Sequence, residues 1–192
     1  MKAQGAVLLT HQTSAEEPQA GSIWLMRAIE SARLIDAQPC YLVENVKKPL
    51  KKRLWWSILL RDRSLCIGLR RRAQVHVDYW EWMKEEDFEE EIQNSQVYDE
   101  GTKRQLFHVF QEQCRLAVLL SDLVSLIFAP RTTLSCFLSV AEFEGLISTI
   151  ERINRSLTEW EAQTPFLPPK PSQSTDLEDP VGILTNLTFM YL

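Results

Sequence analysis

Apolar residues recur along most of this chain with the three-and-four spacing of helices, and no stretch of useful length alternates with the period of a strand. Residues 3–10 are apolar and predict a first helix that starts without a cap. Pro18 and Gly21 mark a turn. Ser22 is then placed to cap a second helix reaching about Ile35, with Ile23, Met26, Ile29, Ala32 and Ile35 as its inner face. Pro39 lies just beyond it, and Pro49 begins a second break. A third helix is predicted over residues 51–69, with Trp55, Leu59, Asp62, Cys66 and Leu69 as its inner stripe. A buried carboxylate is costly unless it is paired. Asp62 is therefore expected to meet an Arg, a His or a Trp N–H on a neighbouring helix.

The next segment changes character. Residues 78–100 carry ten acidic side chains and one lysine, and they predict a short acidic helix at 85–92 inside a long connection. The fourth helix is expected over 102–129, stopped by Pro130. Its second half is apolar nearly all round, with Ser121, Asp122 and Ser125 as the polar strip, which predicts a central place in a bundle. The fifth helix opens on a capping box, Ser139-Val-Ala-Glu142. Its seam is Leu146, Ile150, Ile153, Leu157 and Trp160, and Glu151 and Arg155 are spaced for an outer ion pair. Residues 163–180 read as a linker or surface loop holding five of the nine prolines. Asp179-Pro180 then suits the start of a last apolar helix over 181–192. The expected fold is all-α, an irregular bundle or array of about five to six helices. Residues 1–162 form its body, and both terminal helices look cut.

Composition narrows the class. The chain has 192 residues and only 6 glycines, a balance that favours helix. Collagen, general disorder, a disulfide scaffold and a membrane protein are all disfavoured. The four cysteines, Cys40, Cys66, Cys114 and Cys136, stand too far apart for a secreted framework. The longest apolar run, residues 116–130, is shorter than the roughly 20 residues of a membrane span. Asp122 also sits in its middle. No secretory signal is visible, and an intracellular protein is the simplest expectation.

Charge is more informative than its sum. The net charge of −5 hides two opposed blocks. Residues 47–72 hold ten basic residues against one acid, Asp62, and the acidic connection follows. Lys47, Lys48, Lys51, Lys52 and Arg53 match a nuclear localisation patch. The plainer reading is a basic helix start that neutralises the acidic connection. Direct nucleic-acid binding is opposed by the neighbouring carboxylates, which would repel phosphate. No enzyme motif is present. His11, His76 and His108 have no metal-ligand neighbour at helical spacing, and no glycine-rich phosphate loop or calcium loop occurs. Cysteines on apolar helical faces, such as Cys66 and Cys114, are ordinarily small core residues. The sequence reading is not an enzyme, with no catalytic, cofactor or metal residue.

One segment carries a resemblance. Leu54-Trp-Trp-Ser-Ile-Leu-Leu-Arg-Asp-Arg63, preceded by Arg53 and followed by Gly68, Arg70 and Arg71, resembles the fungal-specific transcription factor domain. That is the middle homology region of zinc binuclear-cluster regulators, and the likeness is nearest to the cutinase-transcription-factor-like branch. The family form has a proline soon after the Arg pair, where this chain has Arg72 and Ala73. The helix at 22–36, the acidic aromatic Asp87-Phe88-Glu89 and Leu157-Thr-Glu-Trp160 resemble other stretches of the same domain.

The resemblance implies an internal helix whose Asp62 is a buried polar anchor, so that Arg53, Leu54, Trp55, Trp56, Asp62, Arg63, Gly68, Arg70 and Arg71 form a structural signature. It implies a partial version of the family domain, nuclear or alternatively cytoplasmic. Family members read DNA with six closely spaced cysteines that hold zinc, and this chain has no such cluster. Zinc is expected only if such a cluster precedes it. The implied role is transcription regulation through protein partners, among them a full-length zinc-cluster regulator. DNA is then reached only indirectly, no membrane is involved, and a small-molecule effector is allowed. The genes expected are those of a catabolic or secondary-metabolite cluster. The alternative is a helical interaction protein, or a truncated remnant, with no regulatory activity.

Overall fold

A computed structural model describes residues 2–12, 17, 19–38, 48–76, 81–94, 96–128 and 139–164. Pro39, Cys40, Lys47, Cys136, the linker beyond Thr164 and the expected helix over 181–192 lie outside the described residues, as does the side chain of Lys48. The described residues contain six α-helices and no strand. They are α1 (Lys2–Leu9), α2 (Ala20–Arg33), α3 (Lys48–Gly68), α4 (Glu89–Asn94), α5 (Glu100–Ile127) and α6 (Val140–Gln163). A 3-10 turn, Glu85–Phe88, runs straight into α4. The architecture is all-α, as the spacing of apolar residues predicts.

α1 and α2 pack against each other through small side chains. Ala3 and Ala6 are buried on α1, and Gly21, Ala28 and Ala32 on α2. The fit is tightest at Gly21, where a Cβ would come within 2.9 Å of the Thr10 carbonyl. That approach starts the helix earlier than Ser22. Gln19 is the N-cap, and the Ser22 hydroxyl lies inside the helix, buried without a partner. The inner face also differs from expectation. Leu25, Ala28, Ile29 and Ala32 are buried, whereas Ile23 and Met26 are half-exposed. Close helix contact selects the small side chains, and the bulkier ones turn outward.

As expected of the helix ending near Ala129, α5 holds an inner place, packing on α3, α4, α6 and the 3-10 turn. α3 is buried more deeply still. It packs on α1, α2, α5 and the 3-10 turn. The expected stripe of Trp55, Leu59, Asp62 and Cys66 is buried, and Leu69 packs partly against the core. So are residues on other faces: Lys52, Leu54, Trp56, Ile58, Arg63 and Leu65. Pro49 is not a break but stands in the first turn of α3, where its missing N–H costs no hydrogen bond.

α5 begins at Glu100, earlier than the pattern predicts, because Asp99 caps it. The Asp99 carboxylate accepts hydrogen bonds from the Thr102 N–H at 3.0 Å and the Thr102 hydroxyl at 2.5 Å. α6 opens on the predicted capping box, with Ser139 and Glu142 bonding reciprocally. Both carboxyls sit below the usual range. For Asp99 the leading cause is the Thr102 hydroxyl bond, and for Glu142 it is the Ser139 N–H. α6 packs only on α5 among the described elements. Of its seam, Ile153 alone is buried. Arg152 pairs with Asp122 of α5 at 2.9 Å, in place of the expected Glu151–Arg155 pair.

Candidate functional site: an aspartate lock at the end of the central helix

The end of α3 explains how its signature residues come together. The Arg71 N–H bonds back to the Cys66 carbonyl at 3.1 Å, and the Arg70 N–H to Ile67 at 3.4 Å. This is the two-bond closure of a helix by a residue in the left-handed region. Arg70 is that residue, with φ of 50°. Glycine is the usual occupant, and Gly68 stands two positions too early, still inside the helix at negative φ. The reversal throws Arg71 back over the last turns of α3 and lays residues 74 and 75 across Asp62.

Asp62 is completely buried. Its carboxylate accepts from Arg63 Nη1 at 2.6 Å and Arg71 Nη2 at 3.0 Å. Backbone N–H groups of Gln74 and Val75 add bonds at 3.2 and 3.0 Å. The Cys66 thiol lies 3.7 Å away, one turn along the helix. Of the three partner types expected, arginine is the one found, but not in the expected location. Both arginines come from α3 and the reversal after it rather than from a neighbouring helix. Arg63 is the next residue of α3, and a short local loop adds a second guanidinium and two N–H groups more readily than a second helix could.

Arg63 extends the lock outward. Its Nη2 donates to the Val75 carbonyl at 2.9 Å, and its Nε to the Ser121 hydroxyl on α5 at 2.7 Å. Ser121 in turn donates to the Ala117 carbonyl at 2.8 Å. One carboxylate thus ties together α3, the segment after it and α5. Burial pulls Arg63 below the ordinary arginine value, while the Asp62 charge opposes that shift. The Cys66 thiol is pushed up to about 12, first by burial and then by the Asp62 charge. Burial likewise raises Cys114. Neither thiol is a nucleophile at neutral pH.

The rest of the signature sits one to two turns earlier on α3. Leu54, Trp55 and Trp56 are buried. Trp56 donates its indole N–H to the Glu81 carbonyl at 3.0 Å and stacks on Trp82 with ring centres 5.5 Å apart. Arg53 lies over the Phe88 ring at 4.8 Å and pairs with Glu91 at 2.5 Å. Asp62, Arg63 and Arg71 converge on one site. Gly68 and Arg70 are exposed and touch none of it.

The basic patch has a different place from that of a free surface motif. Lys52 is buried and bonds to Asp87 at 2.7 Å, with Glu81 at 3.5 Å. Together with Arg53–Glu91, this spends two of its cations on the acidic connection, as the neutralising reading expects. Lys51 is half-buried.

Sequence reasoning missed one junction. Arg61 donates to the Thr10 hydroxyl at 2.9 Å and the Thr10 carbonyl at 2.7 Å, fastening the end of α1 to α3. A lone arginine gave no signal, because its acceptor lies 51 positions away. Burial, and then the nearby Arg61 charge, lower the pKa of His11 beside it. Among the described residues, no group of His, Cys, Asp and Glu is arranged to hold a metal ion, and no helix is long and apolar enough to cross a membrane. No protein-family model matches the chain, and neither a curated protein nor a solved structure matches it.

Proposed function

We propose that the chain is a regulatory and protein-interaction region of the fungal zinc-cluster type, lacking its own DNA-binding cluster. It acts in the nucleus through protein partners, including a full-length zinc-cluster regulator, and reaches DNA only through them. The genes it controls belong to a catabolic or secondary-metabolite cluster. The observation that supports this reading is the joint placement of the resembling residues. Leu54, Trp55 and Trp56 are buried on the central helix, and Asp62, Arg63 and Arg71 close the lock at its end. A signature used in this way is structural, so function falls to the surfaces that it holds in place.

The test fuses the full chain to an unrelated DNA-binding domain upstream of a reporter in a fungal host. The regulatory reading expects a change in reporter output that Asp62→Ala removes. Co-precipitation with zinc-cluster regulators is expected from the same cells. An unchanged reporter, with no such regulator co-precipitating, would sink the reading.

A second reading, a helical interaction protein without regulatory activity, draws support from α6. Val140, Phe143, Ile147 and Ile150 stay exposed there. Exposed apolar residues gathered on one element mark an interaction surface. Partner capture with an unmoved reporter would favour this reading.

A further inference from the structure

α6 carries two apolar stripes. The first is Leu146, Ile153 and Trp160, with Ile153 buried and the other two half-buried, on the side where α5 packs. The second is Val140, Phe143, Ile147 and Ile150, which stay between 39% and 75% exposed. Its spacing is three, four, three, and it runs on by four and three to Asn154, which is exposed, and Leu157, which is half-buried. That is the a/d repeat of a two-stranded coiled coil, sustained for about two and a half heptads. The helix that bears it is already formed and capped, so pairing has no helix to nucleate.

Asn154 says what kind of helix fits the stripe. It occupies an a position. Against an apolar partner helix its amide would be buried without a hydrogen bond, which is costly. Against a second copy running in parallel it meets the identical amide, and the two bond across the two-fold axis. A single Asn at an a position is the device that fixes two strands and their register.

The flanking positions choose the direction. Glu144 and Glu151 stand at e positions, whereas the g positions are Leu146, Ile153 and Trp160. Antiparallel pairing turns e toward e. It would set Glu144 against Glu151 of the second copy, a like-charge contact, and Asn154 against its Phe143. Parallel pairing turns e toward g, so no carboxylates meet. α5 lies on the g side of α6. The two α5 helices therefore flank the pair on opposite sides and leave the seam clear.

We propose that α6 pairs in parallel with α6 of a second copy through Val140, Phe143, Ile147, Ile150, Asn154 and Leu157. The proposal rests on reading α6 as an interaction surface, and it names the occupant as this chain itself. A seam this short belongs at the small end of specific interfaces. A Kd of roughly 10–100 μM is expected, with monomer on dilution.

The test is sedimentation velocity of the full chain from about 1 to 300 μM, a range that brackets the expected Kd. Monomer is expected at the low end and dimer at the high end. Ile147→Glu is expected to weaken association by at least about tenfold. Phe143→Glu repeats the test if Ile147→Glu fails to fold by circular dichroism. Leu8→Glu, on the exposed side of α1, is expected to change nothing. Direction is read by oxidation with diamide, with the unaltered chain as background for its native cysteines. In parallel pairing Asn154→Cys is expected to give a covalent dimer, and Glu159→Cys, at an outward f position, is not. Antiparallel pairing would hold the two 154 positions about 16 Å apart along the axis, beyond the reach of a disulfide. A chain that stays monomeric at every concentration would overturn the proposal, whatever other proteins α6 captures. So would self-association that ignores both α6 variants. A dimer that Ile147→Glu breaks, but that Asn154→Cys links no better than Glu159→Cys, would overturn the parallel register.

Discussion

α3 and α6 are both long helices, yet they sit in opposite surroundings. α6 has the cleaner pattern, with a capping box at its start and a regular apolar seam, and only Ile153 of it is buried. α3 carries lysines and arginines through its length and is buried on nearly every face, including Lys52, Asp62 and Arg63. A one-sided apolar stripe belongs to a helix that packs from one side. The charges on α3 can be buried because each finds an opposite charge or a backbone partner: Lys52 finds Asp87, and Arg63 finds Asp62 and Val75. A regular stripe therefore marks the periphery, while charges scattered over a helix that also carries a tryptophan pair mark the centre.

The contrast can be broken experimentally, and the largest effect is expected at the lock. Asp62→Ala leaves two buried guanidiniums facing no carboxylate and should lower stability by about 3–5 kcal/mol in urea unfolding. A midpoint shift equivalent to less than about 0.5 kcal/mol would show that the lock does not hold α3 in place.

The next comparison is apolar. Ile58→Ala on α3, where the side chain is wholly buried, should cost about 2–5 kcal/mol through the cavity it leaves. Ile150→Ala on α6, where the side chain is 44% exposed, should stay within about 0.5 kcal/mol. Equal losses in matched denaturation curves would mean that α6 is as deeply packed as α3.

Glycines offer a smaller and opposite-signed pair. Gly21→Ala meets the Thr10 carbonyl at 2.9 Å and should destabilise by about 1–3 kcal/mol. At Gly5 a Cβ meets nothing within 4 Å, so Gly5→Ala should stabilise α1 by about 0.5–1 kcal/mol. Thermal melts moving in the same direction would contradict the close contact between α1 and α2.

The helix ends offer effects of similar size. α2 ends like α3, with Asp36 at φ 53° and the Ala37 N–H bonded to the Ala32 carbonyl at 2.9 Å. Arg70→Gly should stabilise by about 1 kcal/mol, because the left-handed conformation strains a residue with a Cβ, and Asp36→Gly by less, because aspartate tolerates that conformation better. A loss of stability at Arg70→Gly would give its side chain a role beyond the turn.

Much of the fold is legible without coordinates, and the reason is distance along the chain. The Ser139–Glu142 box and the stripe of Trp55, Leu59, Asp62 and Cys66 are written within a turn or two of helix, where spacing decides the outcome. Ser22 is a good cap locally, but α2 begins at Ala20, and the Thr10 carbonyl that packs on Gly21 comes from the turn after α1. Asp62 could be known to need a hydrogen-bonding partner, whether an arginine, a histidine or a tryptophan N–H. That Arg71 would supply it depended on a left-handed Arg70, which no residue preference announces. That the basic helix start would neutralise the acidic connection was legible from charge, but that Lys52 would be buried against Asp87, 35 positions away, was not.

The sequence by itself determined that this chain forms helices, roughly where they run, and that one buried carboxylate had to be answered by a specific polar partner. Hydrogen bonds, caps and apolar spacing act over a few residues, so local order carries them. The tertiary structure alone decided which helix is central, which residues answer Asp62 and Lys52, and which apolar faces stay open. Burial is a sum over neighbours from distant parts of the chain, and that sum exists only once the helices have packed.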